Sequence, residues 1–226
     1  MGNLGIFLVT ALAGLTALAG ALVGHWGWRL AARGARGNGG KGTALPGRWR
    51  PWLALATGVV WAAVVLLTRP AWFWPAALWL GAGVVLLGAV DLRSRLLPNR
   101  LVGPFAIVAA ATLGVAALGV GEPIRLLGAG AGGVALFAIY LVLALISPGS
   151  LGMGDVKLAA VLGAYGGWLG WIAWWWTALG GFLLGGMTAL VLVVIRRSGR
   201  RDRFAFGPAM LLGALAVVLA ATWGGA

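Results

Sequence analysis

The chain has 226 residues, 62% of them hydrophobic and only 9% charged, with a formal net charge of +13. So little polar surface excludes a water-soluble domain and places the core between helices packed in lipid. The absence of cysteine excludes disulfides, thiolate zinc sites and cysteine nucleophiles, and a single histidine, His25, cannot build a histidine metal cluster.

Apolar runs near the length needed to cross a bilayer follow one another along the chain. The first is Leu4–Trp28. No Lys or Arg precedes it, and a cleaved signal peptide starts with a positive segment, so a retained helix is expected. The Arg29–Arg50 segment is Gly-rich and basic, and it reads as a flexible, topology-setting loop that touches headgroups. Next come Trp52–Thr68, Ala71–Val90, Leu101–Gly119 and Ile124–Ser147, then a shorter run at Val156–Tyr165, then Trp168–Ile195 and Pro208–Trp223. Pro51, Pro70, Pro148 and Pro208 stand at segment ends, where proline is tolerated or stops a helix. The expected fold is an all-α polytopic membrane protein of about eight transmembrane helices with no separate soluble domain. It divides into residues 1–50, the first helix with its basic loop, and residues 51–226, the remaining spans.

Alternate loops hold 15 of the 17 Lys and Arg residues, and the loops between them hold only Arg69 and Arg125. By the positive-inside rule the rich loops face the cytoplasm and both termini face outward. These basic residues are not interleaved with base-stacking aromatics, so they point to membrane lipid headgroups and not to nucleic acid.

Four acidic residues remain to be explained. Glu122 is expected on the outer face, and Asp202 stands among Arg200, Arg201 and Arg203, where an ion pair accounts for it. Asp91 closes the third span, ahead of Arg93, Arg95 and the turn Pro98-Asn99. Asp155 opens the sixth, after Gly152 and Gly154, whose missing side chains permit a tight turn and close approach of another segment. Taken singly, each has a plain structural role: Asp91 as a loop ion-pair partner, Asp155 as a helix cap. Lys157 reads as a snorkelling lysine at the interface. As a pair the two aspartates mean more. Both fall on the same predicted membrane face, at the mouths of apolar helices, where a carboxylate is costly. Two carboxyls sharing a proton can hydrolyse a peptide bond, one activating water and the other protonating the carbonyl oxygen.

The remaining features have structural explanations. Trp168, Trp171, Trp174, Trp175 and Trp176 are expected to form an aromatic belt on the outer side of the seventh span. Gly128, Gly130, Gly132 and Gly133, and Gly181 with Gly185, permit close helix packing, which could serve folding or dimerisation.

Asp91 through Asn99 fits the pattern Asp, six residues, Pro, Asn or Asp. Gly152 through Lys157 fits Gly-x-Gly-Asp-x-Lys, and Phe206-Gly207-Pro208 after a basic loop fits a third pattern. Over roughly Leu78 to Leu212 the chain therefore resembles the prepilin peptidases, the type IV leader peptidases of the GxGD intramembrane aspartyl proteases. The resemblance implies that Asp91 and Asp155 are catalytic, with Pro98, Asn99, Gly152, Gly154, Lys157, Gly207 and Pro208 supporting or binding substrate. It implies a bacterial inner-membrane endopeptidase that removes the short basic leader of a prepilin or pseudopilin from the cytoplasmic face, with no metal or other cofactor. Residues 51–226 would then be the peptidase domain. Larger relatives carry a cysteine-bearing methylation domain after the first span; here that region is the cysteine-free Arg29–Arg50 loop, so methyltransferase activity is expected to be absent. Ala205 stands where relatives often have Pro. The alternative is a non-enzymatic membrane subunit, a transporter or an assembly factor, of a pilus or secretion system. The almost wholly apolar mid-span regions count against a transporter.

Overall fold

The computed structural model describes residues 3–35, 45–69, 71–95, 97–146, 151–194 and 205–223. Most of the Gly-rich linker, the basic loop that carries Asp202, and Pro70, Leu96 and Pro148 lie outside the described residues. Among the described residues eight α-helices follow in order: α1 Asn3–Ala35, α2 Arg50–Leu67, α3 Trp74–Ser94, α4 Asn99–Gly119, α5 Arg125–Ile146, α6 Met153–Leu169, α7 Trp171–Val194 and α8 Gly207–Trp223. No strand occurs among the described residues. The chain is an all-α polytopic membrane protein, and among the described residues five helices are long and apolar enough to cross a membrane by length and composition. Every expected span forms a helix, because lipid offers backbone groups no partner and a helix satisfies them internally. The ends differ. α1 runs past Trp28 to Ala35, and α3 runs past Val90 to Ser94, so Asp91 lies inside a helix and not in the loop beyond it.

Helix packing follows the small residues. In the α1–α2 hairpin a side chain at Gly24 would meet the Leu53 carbonyl at 2.5 Å, and one at Gly58 the Ala17 carbonyl at 2.7 Å. His25 joins the same hairpin by accepting a hydrogen bond from the Arg50 guanidinium. α5 and α6 pack antiparallel along a glycine seam, where side chains at Gly128 and Gly132 would meet the carbonyls of Gly167 and Gly163 at 2.6 and 2.5 Å. Gly130 faces open space and takes no part in the seam. Gly181 and Gly185 pack against Met210 and Phe206, so this pair serves the fold by joining α7 to α8.

Of the five helices long enough to cross a membrane, α3 is the most enclosed, packed against α1, α2, α4 and α8, while α6 packs against α4, α5, α7 and α8. α3 and α6 touch directly at the end away from the aspartates. There the Tyr165 hydroxyl donates to the Ala76 carbonyl at 2.8 Å, and Phe73 packs on Trp168 with ring centroids 4.6 Å apart.

The tryptophan belt needs correction. Trp171, Trp175 and Trp176 are exposed, as a lipid-facing belt requires, but Trp168 and Trp174 are buried. Trp168 belongs to α6 and lies beneath the Arg125 guanidinium, and the Trp174 indole donates to the Gly132 carbonyl at 2.9 Å. Trp174 fills the space that Gly132 and Gly166 leave, where its indole N–H reaches a backbone acceptor.

The seam sets a stability test. Gly132→Ala places a methyl 2.5 Å from the Gly163 carbonyl and 2.8 Å from the Trp174 ring. It should cost about 1–3 kcal/mol in thermal unfolding of the detergent-solubilised protein. Gly130→Ala, which meets nothing within 4 Å, should be neutral or slightly stabilising.

Candidate active site

Asp91 sits in the last turn of α3, only 3% exposed. The helix ends at Arg95, which adopts a left-handed conformation (φ 51°) and donates its N–H to the Asp91 carbonyl at 2.7 Å. Such a terminus reverses the chain sharply. Buried Leu97 follows, and then Pro98, whose extended backbone caps α4 and whose carbonyl accepts the Leu101 and Val102 N–H groups.

The Asp91 side chain has one fixed donor. Its Oδ2 accepts the N–H of Gly207, the first residue of α8, at 3.0 Å. The first N–H groups of a helix have no internal partner and carry its positive dipole end, so a carboxylate suits them well. Pro208 follows at an early helical position where no N–H is needed. Asp91 therefore caps α8 across 116 residues of sequence.

Asp155 occupies the first turn of α6, with Gly152 as the residue before the helix. Its Oδ2 accepts the Gly152 N–H at 3.3 Å, a capping contact made from inside the first turn. The other oxygen, Oδ1, is buried and has no hydrogen-bond partner among the described residues. The capping role expected of Asp155 thus uses only half its carboxylate.

Leu97 brings the two aspartates together. A side chain at Gly154 would meet the Leu97 Cβ at 2.7 Å, and one at Gly207 would meet Leu97 Cδ1 at 3.0 Å and Asp91 Oδ2 at 2.9 Å. Only glycines let the α6 and α8 starts close on the same leucine and on the Asp91 carboxylate. The charge of Asp91 consequently acts on Asp155. A second link runs beside the first: Lys157 Nζ donates to Asn99 Oδ1 at 2.8 Å, joining the starts of α6 and α4. Lys157, read from the sequence as a snorkelling lysine, thus has Asn99 as a partner at the helix ends. Asp91, Pro98, Asn99, Gly152, Gly154, Asp155, Lys157, Gly207 and Pro208 thus come from four helix termini at one end of the bundle. Leu97 lies inside the Asp91–Asn99 pattern but carries no chemistry of its own, so nothing in the sequence marks it as the residue between the two glycines.

Glu122 stands apart, in the turn between α4 and α5 at the opposite end. It is exposed and bonded to Arg125 Nε at 2.7 Å. The Arg125 guanidinium holds its carboxyl below the usual carboxylate range, first through that hydrogen bond and then through its charge.

Residues 78–190 match the family described as the type IV leader peptidase family, a segment that contains both aspartates. The chain belongs to that family. It is 32% identical over 178 residues to a prepilin leader peptidase/N-methyltransferase of Aeromonas hydrophila, covering 77% of this chain and 58% of the relative. It is 34% identical over 174 residues to one of Dickeya chrysanthemi, covering 76% and 60%. With one of Klebsiella pneumoniae it shares 36% identity over 124 residues, covering 54% and 53%. The chain thus spans between about half and three-fifths of the length of these relatives. No solved structure matches it.

The capping bond yields a prediction separate from any activity. Asp91→Leu leaves the Gly207 N–H buried without an acceptor and should lower stability by about 1–3 kcal/mol. Asp91→Asn keeps an acceptor oxygen and should retain most of the stability, as read by thermal unfolding in detergent.

Proposed function

We propose that the protein is an aspartic endopeptidase of the membrane that removes the short basic leader from prepilin or pseudopilin-like substrates at the cytoplasmic face, without N-methyltransferase activity. The observation that carries this proposal is the meeting of Asp91 and Asp155 around Leu97. Two of the four acidic residues in the chain come together at one end of an apolar bundle. Isolated carboxylates there would be an uncompensated cost, whereas a pair that shares one proton has a use for the low dielectric.

In the proposed reaction a peptide carbonyl lies between the two carboxyls. The ionised one takes a proton from water as the water oxygen attacks the carbonyl carbon. The protonated one gives its proton to the carbonyl oxygen, and a tetrahedral diol results. Proton return to the amide nitrogen breaks the C–N bond and releases the leader. The Gly207 and Gly152 N–H groups, each bonded to one Oδ2, hold the carboxyls in place before substrate arrives. A substrate with a hydrophobic helix can reach this site laterally through lipid, with its basic leader in water beyond the helix termini.

The names of the relatives couple the peptidase to an N-methyltransferase. In this chain the segment between α1 and α2 is short and basic, and the whole sequence has no cysteine, which supports a peptidase that acts without methylation.

Co-expression with a leader-bearing pilin-like substrate tests the proposal. The wild-type protein should shift the substrate on a gel, with an unmethylated new N-terminus by mass. Asp91→Asn and Asp155→Asn should each abolish the shift while folding normally, and Glu122→Gln should cleave at wild-type level. Near wild-type cleavage by either Asn variant would end the dyad proposal.

The orientation has its own test. The cysteine-free background allows single cysteines to be labelled with a membrane-impermeant thiol reagent. A cysteine at position 123, in the exposed turn beside Glu122, should label from outside intact cells, and one at position 40 only after the membrane is opened. The reverse pattern would place the two aspartates on the outer face.

A further inference from the structure

The α5–α6 seam has a fixed register. Gly128 meets Gly167, and four residues further along each helix Gly132 meets Gly163. Leu136 continues the line, since a side chain at Gly163 would meet its Cβ at 2.7 Å. Positions four apart stack on one face of a helix, so two further steps of four along both helices bring Tyr140 opposite Asp155.

Tyr140 is 1% exposed. Its ring packs against Phe182 at 5.1 Å and Phe206 at 6.3 Å, and Phe206 directly precedes the glycine that holds Asp91. Its hydroxyl lies near Gly181, a side chain at which would meet it at 3.2 Å. The hydroxyl makes no hydrogen bond to any described residue, whereas the other tyrosine, Tyr165, donates to Ala76. Buried tyrosine hydroxyls normally have partners. Asp155 Oδ1 is a buried acceptor without a donor among the described residues. The charge of Asp155 also reaches the Tyr140 phenol. A buried acceptor without a partner, Asp155 Oδ1, and the hydroxyl-bearing Tyr140 stand at the same level of one helix pair.

We propose that Tyr140 is a positioning residue of the site, whose hydroxyl donates to Asp155 Oδ1 across one water. The Gly152 N–H holds Oδ2 and Tyr140 holds Oδ1, so the carboxyl plane is fixed toward Asp91 instead of swinging about its side chain. This inference rests on the dyad proposal. It assigns to α5, which carries no motif residue, a part in the reaction. An ordered water transmits such a hydrogen bond with little loss.

The test compares wild type, Tyr140→Phe, Tyr140→Leu and Asp155→Asn, purified in detergent with a leader-bearing pilin-like substrate. Tyr140→Phe keeps the ring and its aromatic contacts. It should unfold at the wild-type temperature, lower kcat about 10–100-fold and leave KM within about twofold, as expected for loss of one charge-assisted hydrogen bond. The infrared carboxyl band that disappears in Asp155→Asn should shift in frequency in Tyr140→Phe, a readout independent of turnover. Tyr140→Leu, which also removes the ring, should lose stability as well. Wild-type kcat with an unshifted carboxyl band in Tyr140→Phe would overturn the inference, and so would a rate loss matched by a fall in unfolding temperature. If Asp155→Asn is inactive while Tyr140→Phe is unaffected, Tyr140 fails and the dyad stands. If Asp155→Asn cleaves normally, the dyad fails and takes this inference with it.

Discussion

A carboxylate buried among apolar helices must be met by donors that are already in place, and here the Gly207 N–H meets Asp91. That bond joins the end of α3 to the beginning of α8. It gives the unpaired N–H of a helix start an anionic partner and gives a buried charge a dipole to rest on. The arrangement needs glycine at 207, because a side chain there would press on both Asp91 Oδ2 and Leu97. Moving α8 would expose Asp91 to the cost of its own charge, so the site and the packing of the last helix stand or fall together.

The same demand for close approach recurs through the bundle. Lipid supplies no hydrophobic driving force between helices, so association depends on van der Waals contact, and contact is greatest where side chains are absent. The α1–α2 hairpin, the α5–α6 seam and the α7–α8 pair all close on glycines. The α5–α6 seam does more than hold two helices. Its four-residue step fixes which residue of α5 stands opposite the start of α6, and so carries order from the glycine end of the pair to the aspartate end.

The two ends of the bundle differ in chemistry. At one, helix termini gather two aspartates, an Asn–Lys bridge and backbone N–H groups, with Arg93, Arg95 and Arg100 exposed around them. At the other, Glu122 and Arg125 pair in the open, and the guanidinium covers buried Trp168 while Trp171, Trp175 and Trp176 face outward. An exposed ion pair of the second kind adds little to stability. Buried Asp91 and partly buried Asp155 each lean on a backbone N–H already in place, which is the physical basis for reading that end as a site of chemistry.

Much of this was legible in the order of residues. Composition and apolar run length determined an all-α membrane bundle, because only helices satisfy their backbone in lipid. Asp91, Asp155 and their neighbouring Gly, Pro and Lys were conspicuous because polar residues are so rare in this chain. What the run lengths could not show was where helices end and which faces meet. Asp91 proved to be inside α3, Trp168 and Trp174 turned inward, and Lys157 reached Asn99 across 58 residues. Leu97 and Tyr140 were invisible, since an ordinary leucine and a tyrosine within an apolar run gain meaning only from what stands opposite them. Local sequence determines a helix through its own hydrogen bonds and hydropathy. The register between helices is decided by contacts made far apart in the chain, and here that register places every partner of the two aspartates except Gly152.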